Sequence, residues 1–146
     1  MNGIVTTTER DEEMSLIKMY GISFTVFFAI DLIWLGLIAK NLYREHLGYI
    51  MSPNVNWVAA IGFYIFYIAG LIFFAIAPAI ERDSLLYAAF VGAFFGFITY
   101  ATYDMTNLAT LKDWPVFITV VDIIWGTVLC GLTASVSFII LKAIGI

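Results

Sequence analysis

The chain has 146 residues, of which 62% are hydrophobic and 12% charged. Its 7 Lys and Arg and 11 Asp and Glu cannot cover a water-soluble domain of this size, which makes it an integral membrane protein and sets the soluble enzyme classes aside. A net charge of −4 speaks against nucleic acid as a partner, and a single Cys forbids an internal disulfide.

Residues 1–15 carry the run Glu9-Arg10-Asp11-Glu12-Glu13 and read as a polar, acidic N-terminal tail in solvent. The acidic leader and the long apolar run behind it fit a retained anchor better than a signal peptide. The rest, 16–146, reads as one transmembrane domain. A bilayer core needs about 20 apolar residues per helix, and four such runs lie at about 19–39, 57–80, 85–109 and 116–141. Backbone groups in lipid must bond internally, and these runs are too long for barrel strands. The expected fold is all-α, an integral membrane four-helix bundle with both termini on the same side.

Between the first two runs, Lys40 to Tyr49 reads as a short amphipathic helix at the headgroups, or as a lid that brings Arg44 or His46 to a site. Asn54 or Asn56 is placed to cap the second helix, Asp83 or Ser84 the third, and Asp113 the fourth, with Pro115 in its first turn. Trp57 and Trp114 stand where interfacial aromatics belong. The terminal side holds Arg10, Lys18, Arg82 and Lys142 against Lys40, Arg44 and Lys112 opposite, so the positive-inside rule leans toward cytoplasmic termini.

Three carboxylates interrupt the spans: Asp31, Asp104 and Asp122. A charge at a span centre costs roughly 2.5–3.5 kcal/mol on insertion scales, so each asks for a reason. Counted from Lys40, Lys112 and Trp114, each lies roughly 12–14 Å in from a boundary residue. The topology puts those boundaries on one membrane side, so the three acids are expected at one level. Residues three and four apart share a helical face. On the third helix that face holds Tyr100, Tyr103, Asp104 and Asn107, continued by the small residues Ala89, Gly92, Ala93 and Gly96; on the fourth, Thr119 and Asp122 align, and the second offers Tyr64.

The phrase Asp-x-x-Trp occurs twice, at Asp31–Trp34 and Asp122–Trp125. Because the two helices are antiparallel, Trp34 and Trp125 are expected to bound the polar layer from above and below. No Lys or Arg lies within the spans to neutralise the acids. Protonation of one or two of them, a bound divalent cation held by Asp31, Asp104 and Asp122, or a snorkelling Lys40, Arg44 or Lys112 are the alternatives. A packing alternative is that protonated acids tie helices together through Tyr and Asn. Cys130 has no partner at ligand spacing and reads as a small packed residue.

The segments Ile30-Asp31-Leu-Ile-Trp34-Leu-Gly36, Tyr100-Ala-Thr-Tyr103-Asp104-Met-Thr-Asn107, Trp114-Pro115 and Val121-Asp122-Ile-Ile-Trp125-Gly126 resemble a family of small bacterial inner-membrane proteins catalogued as a domain of unknown function. The resemblance runs from about Tyr20 to the C-terminus. It implies a four-helix, multi-pass protein of the bacterial inner membrane and brings no established reaction or cofactor. The function expected from the acids is proton- or cation-coupled transport or permeation by a chain that works as an oligomer. Its rivals are a membrane-embedded lipid-modifying enzyme and an accessory or assembly subunit of a larger membrane complex.

Overall fold

The computed structural model describes residues 7–146, with side chains from residue 12 onward. The described chain is helical, with four rods long and apolar enough to cross a membrane. The first rod is α1 (Thr7–Trp34), a π-helical segment (Leu35–Ala39) and α2 (Lys40–Leu47). The second is α3 (Trp57–Leu71), a second π-helical segment (Ile72–Ile76) and α4 (Ala77–Glu81). The third and fourth are α5 (Leu85–Thr110) and α6 (Val116–Ala143). With four crossings, the two ends of the bundle's chain lie on the same side.

Helix α1 starts at Thr7, so the second half of the acidic leader is helix and not an irregular tail; residues 1–6 lie outside the described residues. At its other end the first rod passes through Lys40 and ends at Leu47, because the π turn keeps the backbone bonded where the charge was expected to stop it. Asn56 caps α3 by accepting the Ala59 amide at 3.1 Å, and Ser84 caps α5 by accepting that of Tyr87 at 3.2 Å. Asp113 caps nothing: it takes a left-handed turn conformation (φ 60°), and Pro115 itself is the residue before α6. Pro78 explains the second π turn, since its ring has no amide hydrogen and crowds the carbonyl four residues earlier.

Helix α6 is the central rod, with eleven buried residues from Ile118 to Leu141. It packs most extensively on α5 and then on α1. The α5 contact is made backbone to backbone. A Cβ on Gly96 would collide with the Gly126 carbonyl, one on Gly92 with Ala134 and the Cys130 carbonyl, and one on Gly126 with the Tyr100 ring. The small-residue face of the third span therefore serves the inside of the bundle, where lipid supplies no hydrophobic drive and close van der Waals approach does the work. The second rod meets α5 through its π turn and α4, whereas α3 leans on α1. The wide faces bearing Phe66, Phe73, Phe90 and Val58 are exposed, as a lipid-facing surface requires.

The packing of the seam sets a stability test. Gly96→Leu or Gly126→Leu is expected to lose about 1–3 kcal/mol by overpacking. Gly62→Leu, whose Cβ direction meets nothing within 4 Å, is expected to lose none. Thermal unfolding of the purified variants in detergent measures the difference, and equal behaviour of the three would refute the close seam.

Candidate functional site

The register of the glycine seam brings Asp104 of α5 level with Asp122 of α6. Asp104 is fully buried, and neither of its carboxyl oxygens has a hydrogen-bond partner. Asp122 is 8% exposed and accepts a hydrogen bond from the Tyr43 hydroxyl of α2. Among the described residues the one side-chain ion pair, Lys142 with Asp83, lies at the opposite end of the bundle, so no basic side chain balances either acid.

Tyr43 reaches Asp122 because of the π turn. Twelve residues separate it from Asp31, which in an unbroken α-helix puts it about 120° round the rod. Absorbing one extra residue in the turn rotates the downstream helix back by about 100°, onto the face that Asp31 presents to α6. The segment from Lys40 to Leu47 thus delivers Tyr43, and not Arg44 or His46. Arg44 is exposed, while His46 lies over Phe117 with ring centroids 5.2 Å apart and Nδ1 at 3.0 Å from the Leu42 carbonyl.

Asp31 has different company. It is 6% exposed, and the Tyr64 hydroxyl donates to it over a long 3.5 Å. The Trp125 indole N–H approaches it without reaching hydrogen-bond geometry. Trp34 stands opposite Trp125, and Tyr67 opposite Cys130. These contacts put Asp31 one to two helical turns deeper than Asp122, roughly 5–9 Å. The equal depth expected for all three acids fails for Asp31 because it was counted from Lys40, where the rod does not end. Among the described residues no three His, Cys, Asp or Glu side chains gather as a metal site requires, so Asp31, Asp104 and Asp122 do not make one ligand set for a divalent cation.

The two tryptophans also depart from expectation. Trp34 and Trp125 stack face to face, with centroids 4.4 Å apart and planes 9° from parallel, and so do not bound the layer from above and below. Side chains lean toward the N-terminus of their own helix. In an antiparallel pair, Trp34 leans inward and Trp125 leans outward, so the rings meet between the levels of Asp31 and Asp122.

Beside the acid pair lies a crevice of about 540 Å³ between α3 and α5, with α6 behind it. Its walls include Phe63, Tyr67, Tyr100 and Tyr103, and Asp104 and Asp122 are its buried, polar end. Phe63 and Tyr103 are more than half exposed at the mouth, which therefore opens sideways toward lipid and not along the bundle axis. Tyr103 packs edge-on against Trp114, which is 7% exposed and donates to Thr119 at 3.1 Å. Trp114 thus turns inward from the interface to close the end of the α5–α6 seam. Asn107, one turn past Asp104, is half-buried, and Thr119 serves Trp114.

Tyr43, Phe63 and Tyr67 escaped sequence reasoning. Tyr67 is 8% exposed and bonds Thr99 at 2.8 Å and the Cys130 sulfur at 3.1 Å, a polar knot where Cys130 was read as packing alone. A Tyr every third or fourth residue on α3, at Tyr64 and Tyr67, is a signal that could have marked this face.

Over residues 16–139 the sequence matches the family described as Predicted membrane protein (DUF2177), and the chain belongs to that family. No curated protein and no solved structure matches it. The family is one of predicted membrane proteins of unknown function, which leaves the chemistry to the residues themselves.

The Tyr43–Asp122 contact has a direct test. A double-mutant cycle of Tyr43→Phe and Asp122→Asn, followed by unfolding in detergent, is expected to give a coupling of about 0.5–3 kcal/mol. Strict additivity would show that the two groups do not meet.

Proposed function

We propose that this chain is a proton-coupled transport unit of the membrane, with Asp104 and Asp122 as the groups that take up and give back the proton. The observation that carries this reading is Asp104: a carboxyl group fully buried within a span, with both oxygens free of partners, beside a second carboxyl group. Two adjacent carboxylates in a low-dielectric site and without a basic partner must be neutralised by a proton or by a visiting cation. A group used only to tie helices together would have its oxygens engaged, as Asp122 does with Tyr43. Exchange between the two modes of neutralisation is the elementary step of coupling. Tyr43 holds Asp122 in place and is a hydrogen-bonded neighbour through which a proton can pass toward the end of the bundle formed by α2.

The sideways opening of the crevice also fits acid–base chemistry on a lipid, the enzymatic reading. The two differ in what changes: transport moves protons across a sealed bilayer, and catalysis alters lipid composition without doing so.

In proteoliposomes carrying a pH-sensitive dye, an imposed pH gradient with sodium, potassium or tetramethylammonium on the opposite side for exchange is expected to drive proton flux above that of empty vesicles. Asp104→Asn and Asp122→Asn are each expected to lower it at least tenfold, while Ser52→Ala in the loop before α3 leaves it unchanged. Flux equal to the lipid background, or full flux in both Asn variants, would overturn the proposal.

A further inference from the structure

The crevice that ends on the acid pair has a composition that selects its occupant. Its volume of about 540 Å³ suits a small organic molecule, and its exposed wall is dominated by apolar and aromatic side chains. Its mouth, between Phe63 of α3 and Ile98, Thr102 and Tyr103 of α5, opens where the bundle faces lipid. A ligand that enters there is one already dissolved in the membrane. Its closed end holds two carboxyl groups, one of them fully buried with both oxygens unpartnered, and no basic residue lines it. Four aromatic residues line the crevice, Phe63 and Tyr103 at the mouth and Tyr67 and Tyr100 farther in. Their faces attract a cation and repel an anion.

We infer that the crevice is the binding site for a lipophilic organic cation, an amine or quaternary ammonium on a hydrocarbon body, taken up sideways from the bilayer with its charged head against Asp104 and Asp122. Each part of the site excludes a competitor. An anionic amphiphile meets two carboxyl groups with no counter-charge. Among the described residues a hard metal ion finds no third acidic, His or Cys ligand, and an apolar wall instead of an oxygen cage. A neutral hydrocarbon leaves the Asp104 oxygens as bare as it found them. A head with positive charge spread over carbon suits aromatic walls and costs little to strip of water. This assignment rests on the transport reading and names its substrate class: arrival of the cation displaces the proton that otherwise neutralises the pair.

The test uses the full chain in nanodiscs of phosphatidylcholine, with empty nanodiscs as background. Dodecyltrimethylammonium is the probe, because it carries a fixed charge and no proton of its own. It is expected to bind saturably and to release protons into a weakly buffered solution holding a pH dye. Dodecyl maltoside and dodecanoate, with the same chain and a neutral or anionic head, are expected to bind at least tenfold more weakly. Asp104→Asn should weaken the ammonium at least tenfold, and Thr102→Trp, which fills the mouth without touching the acids, should weaken it similarly. Equal binding of the neutral and ammonium chains, or unchanged ammonium binding in Asp104→Asn, overturns the assignment. Proton flux that depends on Asp104 together with no ammonium binding rejects this ligand class and leaves the transport reading standing. Ammonium binding with proton release in a protein that shows no flux upholds the site and rejects transport.

Discussion

Backbone-to-backbone contact between α5 and α6 is the constraint that sets the site. In lipid, helices gain nothing by hiding apolar surface from water, so their association depends on close packing and internal hydrogen bonds. Gly92, Gly96 and Gly126 let the two backbones approach until a single added Cβ would strike a carbonyl or a ring. Such a seam permits one register only, because any slip brings a side chain to where a glycine must be. Asp104 lies two turns beyond Gly96, and Asp122 one turn before Gly126. Once the glycines are seated, the two acids are opposite each other whatever their mutual repulsion.

Departures from regular α-helix supply the rest of the site. An α-helical first rod would carry Tyr43 round to another face; the π turn at Leu35–Ala39 returns it to Asp122. In the second rod, the turn at Ile72–Ile76 ahead of Pro78 lets the lower half of that rod pack on α5 and α6 while α3 goes with α1. The gap left between α3 and α5 is the crevice. The second turn is encoded locally by a proline; the first runs through Gly36, where a Cβ would meet open space.

The architecture was legible because it obeys one-dimensional rules: runs of apolar length, charges and caps between them, and an even number of crossings. The pairing of Asp104 with Asp122 was equally accessible, since both are counted from a short turn between adjacent antiparallel helices, where Lys112 and Trp114 fix the depth. Asp31 was misplaced because Lys40 marks no boundary. A long cationic side chain can sit on a continuing helix and extend to the headgroups, so the charge says where solvent begins and not where the helix stops. Tyr43 was hidden by the same extra length and by the π turn, which changes phase without any residue type that announces it. The tryptophan stack is not legible for a simpler reason: residue counting gives the position of the backbone along the axis, whereas large side chains lean toward the helix start.

The polar groups of the bundle divide in a way that bears on what Asp104 is for. Seven of its hydroxyls are satisfied locally: Thr25, Thr99, Thr102, Thr106, Thr110, Thr127 and Ser135 each donate to a carbonyl one turn back on their own helix, whereas the buried Ser23, Thr133 and Ser137 hydroxyls, neutral groups, have no partner. An ionised aspartate has no such recourse, since a carboxylate can only accept and every backbone amide within reach in a helix is already engaged. Its partner must come from another helix or from outside the chain. Asp122 has Tyr43, and Asp31 has Tyr64. Asp104 lies buried at the closed end of the crevice, where the neighbouring walls are aromatic and the next acid is Asp122. Leaving a buried polar group unmatched costs about 1–3 kcal/mol, and more for a charge, a cost borne here by the tight seam on either side. A leucine would fill a similar space without that cost, so the carboxyl group makes physical sense at this position if its missing partner arrives from elsewhere.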